Sequence, residues 1–107
     1  MERREHKRVP YGAWIETQDA GGLKFYLARN LSIGGVLLQS EHSPPPLGHR
    51  VRLRLIVENE ARVMSVHGEV VRHEDDGETF AIRFTELDPV RKAFLDDLIG
   101  EMDAPSA

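Results

Sequence analysis

An all-β domain, built as a six-stranded antiparallel barrel and finished by one C-terminal α-helix, is the fold that this chain of 107 residues predicts. Three observations predict it. Val51, Leu53, Leu55 and Val57 alternate with Arg50, Arg52 and Arg54, the period-two signature of a strand with one wet face. Turn signals punctuate the chain between short apolar runs, and no crossover helix separates them, so the strands can pair antiparallel and close on themselves. Only after the last strand does the hydrophobic period change to that of a helix.

The elements follow in order. Tyr11 to Gln18 is the first strand, Asp19-Ala20-Gly21-Gly22 its turn and Leu23 to Arg29 its hairpin partner, with Phe25, Leu27 and Arg29 alternating against Lys24, Tyr26 and Ala28. Val36 to Gln39 is a short third strand, ended by Ser43-Pro44-Pro45-Pro46, where three prolines remove ladder donors. The arginine-rich strand turns at Glu58-Asn59-Glu60 into a long strand, Arg62 to Arg72, in which Gly68 marks either a bulge or a close backbone approach. Asp75-Asp76-Gly77 forms a hairpin turn before Thr79 to Phe84, where Phe80, Ile82 and Phe84 share a face. Asp88 is an N-cap with Pro89 at the first helical position, and Val90, Phe94, Leu95, Leu98 and Met102 form the apolar stripe of a helix over about 89–102. That stripe is expected to plug one barrel end, a dimerisation surface being the alternative. Residues 104–107 are expected to fray.

Composition restricts the function. The length fits one domain, and 40% hydrophobic with 30% charged residues is globular rather than disordered. The chain has no cysteine, so disulfides, thiol nucleophiles and cysteine zinc sites are excluded. The five histidines, His6, His42, His49, His67 and His73, lack the paired spacing of a metal site, so no metal is expected. No nucleophile, base and orienting acid converge as a catalytic set, so no catalytic residues and no enzyme are expected. Neither an apolar leader nor an apolar run of membrane-spanning length is present, so a cytoplasmic protein without membrane insertion is expected. The net charge is −4, yet residues 1–9 set Arg3, Arg4, Lys7 and Arg8 against Glu2 and Glu5. An acidic chain with one basic cluster repels long polyanions such as DNA and RNA but can capture a small anion.

Two short motifs carry chemistry. Arg4-Glu5-His6-Lys7-Arg8 offers two planar cations four residues apart, and Asn30-Leu31-Ser32-Ile33-Gly34-Gly35 offers an amide, a hydroxyl and two glycines. Together these hold phosphates and a purine edge. An arginine fork bonds bidentately to phosphate oxygens or to O6 and N7 of guanine, and its face stacks on a base; lysine reproduces neither. The Asn30 side-chain oxygen can accept from the guanine N1 and N2 donors, the Ser32 hydroxyl can bond base or phosphate, and Gly34 and Gly35 let backbone amides come close. Each motif has a plainer reading. The basic run alone reads as a solvated tail, and Asn-x-Ser-x-Gly-Gly alone as a β-turn with local side-chain caps.

Placed on this framework, the motifs resemble those of the PilZ domain family, bacterial receptors for cyclic di-GMP. The RxxxR motif is met by Arg4 and Arg8, [D/N]xSxxG by Asn30, Ser32 and Gly35, and the PilZ-type barrel with its final helix covers nearly the whole chain. Gly68-Glu69-Val70-Val71-Arg72 resembles the family's GxVxW segment, with Arg72 in place of the aromatic residue; a guanidinium can also stack on guanine. Arg3 matches a position that in the family bears on whether one ligand or an intercalated pair is bound. The resemblance implies cyclic di-GMP as ligand rather than cofactor, held by Arg3, Arg4, Arg8, Asn30, Ser32, Gly34, Gly35 and Arg72. Residues 1–10 would be a flexible arm and 11–103 the barrel and helix. The arm would order on binding and pass the signal to an unidentified effector protein, with an output in motility, attachment or exopolysaccharide production. Two rivals are a PilZ-type interaction module that works without ligand and a small-barrel binder of single-stranded nucleic acid, the latter opposed by the acidic charge.

Overall fold

The structure is a computed structural model that describes residues 9–41, 43–57 and 62–103. Six strands, β1 (Val9–Asp19), β2 (Gly22–Leu31), β3 (Gly35–Gln39), β4 (Arg50–Val57), β5 (Arg62–His73) and β6 (Thr79–Thr85), precede the helix α1 (Pro89–Asp103). They form a closed antiparallel barrel in the order β1-β2-β3-β6-β5-β4. Closure is made where Glu16, Thr17 and Gln18 of β1 pair with Arg54, Leu53 and Arg52 of β4. The predicted turn at residues 58–60 and the tail at 104–107 lie outside the described residues.

Alternation fills the barrel. Ile15, Ala28, Leu38, Leu53, Leu55, Val66 and Phe80 point inward and are fully buried, and the Tyr26 ring meets Phe80 edge-on at 5.1 Å between centroids. Gly68 is a close approach, not a bulge: an added Cβ would stand 2.4 Å from the Ile82 side chain. The bulge of β5 falls instead between Val70 and Arg72. At the first hairpin, Asp19 accepts from the Gly21 amide at 2.7 Å, and its other oxygen lies 2.5 Å from His49 Nε2, tying the turn to the loop before β4.

The helix caps the barrel as expected. The Arg91 amide donates to Asp88 Oδ1 at 2.8 Å, and Arg91 Nε donates to the Ser65 carbonyl at 2.8 Å, fixing the first turn against β5. Phe94, Leu95, Leu98 and Ile99 are buried. Val90 is a correction to the predicted stripe, being 79% exposed. It sits at the rim of an apolar groove with Val63, Met64, Ala93 and Phe94, one turn before the helix reaches the barrel mouth. No described helix is long and apolar enough to cross a membrane.

Two strand ends differ from the sequence reading by more than one residue, and both lie at the motifs. β1 begins at Val9 rather than Tyr11, because Val9 and Pro10 pair with Leu31 and Asn30. Correspondingly, β2 runs to Leu31 rather than stopping at Arg29, so Asn30 is a strand residue. The extended conformation that Pro10 imposes on Val9 suits a strand, and the missing proline donor is tolerated beside the irregularity between Pro10 and Ala13.

Candidate functional site

Ser32 to Gly35 is a tight turn closed by its own bonds. The Ser32 amide donates to the Gly35 carbonyl at 2.9 Å and the Gly35 amide to the Ser32 carbonyl at 3.4 Å. The Ser32 side chain, in a residue only 2% exposed, accepts from the Gly34 amide at 3.2 Å and donates to the Gly35 carbonyl at 3.4 Å. The Phe84 amide donates to the Gly34 carbonyl at 2.9 Å and anchors the turn to β6. Gly35 has a steric reason: a Cβ there would stand 2.1 Å from the Ile82 carbonyl oxygen, so only glycine lets β3 approach β6. The amides of both glycines are therefore engaged inside the turn, and the Ser32 hydroxyl braces it.

The register explains what this turn positions. Read across the barrel, Val9, Leu31, Val36, Ile82 and Val70 are paired in one row, and all five are buried. The neighbouring row is Pro10, Asn30, Leu37, Ala81 and Arg72, and it points outward. Asn30, the first residue of its motif, and Arg72, the last of its own and 42 positions further on, thus share one outer strip. With neighbouring strands 4.7–4.9 Å apart, three strand steps separate them by about 14 Å. Half-buried Leu37 and buried Ala81 form the apolar floor between them.

A second row of the outer face holds Gly35, Arg83, Glu69 and Arg50, where Arg83 Nη2 donates to Glu69 at 3.1 Å. Along the first row lies an open polar cleft of about 520 Å³, lined by Arg29, Asn30, Leu37, Gln39, Glu74, Asp76 and Thr79. Arg72 donates to one oxygen of Glu74 through Nε at 3.2 Å and Nη2 at 2.8 Å, which ties its exposed guanidinium to a residue that lines the cleft. Asp76 closes the β5–β6 hairpin by accepting from Thr79 Oγ1 at 2.5 Å and from the Thr79 and Glu78 amides at 2.8 Å. Those bonds, the Thr79 hydroxyl first, hold its carboxyl below the usual value, and Arg29 adds to the effect.

Of the sequence-predicted site residues, the structure brings Asn30 and Arg72 to one strip and places Ser32, Gly34 and Gly35 in the turn beneath its end. Arg3, Arg4 and Arg8 lie outside the described residues. The arginine stripe of β4 faces elsewhere, with Arg52 donating to Gln18 and Arg54 to Glu16 on β1. Sequence reasoning missed Arg29, Gln39 and Glu74 in the cleft; strict alternation would have turned Arg29 away from Asn30.

Comparison with known proteins gives a consistent picture. The family model described as PilZ domain matches residues 2–101. No curated protein matches the sequence. Among solved structures, the chain is similar to the PilZ domain of YcgR from Escherichia coli with c-di-GMP, with a TM-score of 0.77 and 17% identity over 95% of this chain and 92% of that one. It is similar also to YcgR from Escherichia coli in complex with c-di-GMP, at TM-score 0.71 and 16% identity over 95% of this chain and 46% of that one. A third is the Bacillus subtilis inhibitor of motility MotI/DgrA, at TM-score 0.68 and 18% identity over 94% of this chain and 52% of that one. The chain thus spans about half the length of the latter two.

Proposed function

We propose that this chain, which belongs to the PilZ domain family, is a non-enzymatic receptor for cyclic di-GMP that signals by ordering the segment before β1. One observation carries the reading. Pro10 pairs with Asn30 and Val9 with Leu31, so the strand that continues from RxxxR lies against the start of the second motif. Arg8 is the residue before Val9, and Arg4 stands five before it, within about 18 Å of chain reach. Both forks can therefore approach the outer strip that starts at Asn30.

In this reading, Arg4 and Arg8 grip phosphate or guanine O6 and N7, with Arg3 beside them. Asn30 accepts from guanine N1 and N2, a base lies over Leu37 and Ala81, and Arg72 stacks on it in place of an aromatic residue. The turn from Ser32 to Gly35 holds Asn30 in position. The ligand shifts the population toward the state with the arm docked, changing the surface offered to an effector protein in the cytoplasm. The output concerns motility, attachment or exopolysaccharide production. Titration calorimetry with cyclic di-GMP tests the reading: saturable binding is expected for the intact chain, lost in Arg4→Ala and in Arg8→Ala. No binding heat at high micromolar ligand rejects it.

A second reading, an interaction module that needs no ligand, is favoured by the outer face of the β1–β2 hairpin. There Trp14, Leu23 and Phe25 are 57%, 57% and 61% exposed. The same titration separates the two.

A further inference from the structure

We infer that Arg29 is a base-reading residue of the proposed site, bonding guanine O6 and N7 beside Asn30; the inference rests on the receptor reading above. It begins from a register slip. Ala28 pairs with Leu38 and Asn30 with Leu37, so Arg29 is the extra residue of a bulge in β2 against β3. A second irregularity faces it on β1, between Pro10 and Ala13. In a regular strand Arg29 and Asn30 would point to opposite faces. Here buried Ala28 and Leu31 flank two consecutive residues, exposed Arg29 and half-buried Asn30, that line the same cleft. Re-aiming one side chain in this way is what a bulge does.

The cleft also orients the guanidinium and selects what it can meet. Arg29 Nη1 donates to Gln39 Oε1 at 3.0 Å, and Gln39 Nε2 reaches Glu78 at 3.5 Å, so the fork is held from behind. That bond uses one of five guanidinium N–H donors. Glu74 and Asp76 line the same cleft. With Arg72 paired to Glu74, the carboxylates of Glu74, Asp76 and Glu78 stand against two guanidiniums, so a phosphate placed there gains no net attraction, whereas a neutral base edge meets no such repulsion. The edge that an arginine fork reads bidentately is O6 and N7 of guanine. Arg29 thus supplies the donors and Asn30 the acceptor for one guanine, a combination that adenine does not match.

Titration calorimetry with cyclic di-GMP and with its 7-deazaguanine analogue, on the full chain, tests this. Arg29→Ala is expected to bind cyclic di-GMP roughly ten- to a hundredfold more weakly than the parent. The parent is expected to prefer cyclic di-GMP over the analogue, which lacks N7, and Arg29→Ala to show a smaller preference. Arg29→Lys keeps the charge without the fork and is expected to be as weak as Arg29→Ala. Three results overturn the inference while leaving the receptor reading in place: Arg29→Ala within twofold of the parent, a preference for cyclic di-GMP undiminished in Arg29→Ala, or parental affinity in Arg29→Lys, which marks a phosphate contact. A parent chain that binds no cyclic di-GMP overturns both. Arg29 is exposed, so the variants are expected to keep the parent's thermal unfolding midpoint.

Discussion

The two ends of the Asn30–Arg72 strip are held in place by different physics. At one end Asn30 adjoins a turn whose buried Ser32 hydroxyl bonds the Gly34 amide and the Gly35 carbonyl, and whose Gly35 packs directly on the β6 backbone. At the other, Arg72 is exposed and kept in place by Glu74, itself a surface carboxylate. Buried bonds with no room for rearrangement set a position to a fraction of an ångström, whereas an exposed ion pair is weak and competes with water. The contrast gives the serine and glycines of the motif an architectural role beside the ligand contacts expected of them.

Gly35→Ala attacks the rigid end most severely. The added Cβ overlaps a backbone carbonyl, which cannot rotate away, so β3 must separate from β6. A loss of about 3 kcal/mol or more is expected, lowering the thermal midpoint by roughly 12 °C or more in a domain of this size. An unchanged midpoint in a calorimetric scan would show that the turn is not the fixed end.

Ser32→Ala sharpens the division of labour. It removes the acceptor of the Gly34 amide within a buried turn, at a cost of about 1–2 kcal/mol. Thermal unfolding should therefore move by several degrees. Affinity for cyclic di-GMP, measured well below the midpoint, should change less than in Asn30→Ala, which removes the proposed base acceptor. The reverse order would make Ser32 a direct ligand contact.

These assignments mark where the sequence was readable. Val51 to Val57 could be placed because alternation is local, and Asp88-Pro89 because a cap is a matter of adjacent residues. The strand ends at Val9 and Leu31 were not readable, since the two pair with each other across 22 positions and Leu31 also pairs with Val36. Ser32 shows a second limit: its hydroxyl fits a ligand or its own turn equally well on paper, and its bonds to Gly34 and Gly35 appear only in the fold. Arg29 shows a third, because a bulge is a property of two strands and no single strand announces it. Arg72 could be flagged from its motif, yet its alignment with Asn30 arises from pairings across four strands.

At the exposed end, Arg72→Ala should leave stability within about 0.5 kcal/mol of the parent, as surface ion pairs do. Affinity for cyclic di-GMP should fall about three- to tenfold, the share of one cation–π stack. Arg72→Trp should bind at least as tightly as the parent if the position is a stacking platform. Weaker binding in Arg72→Trp than in Arg72→Ala would instead make it a charge contact.

Acid separates the two ends without mutation. The Asp76 carboxyl is held below its usual value by the Thr79 hydroxyl and the Thr79 and Glu78 amides, while the turn from Ser32 to Gly35 contains no ionisable side chain. A carboxyl with a depressed folded pKa stabilises the fold above its unfolded value, near 3.8, and that contribution disappears as pH falls through the lower folded value. In an NMR titration from pH 6 to pH 2.5, the Glu78 and Thr79 amides should therefore shift with a midpoint below 3.8, while those of Gly34 and Gly35 stay in place. Gly34 and Gly35 moving with the same midpoint would mean that the two ends of the strip are coupled, and that the rigid turn senses the hairpin beyond Arg72.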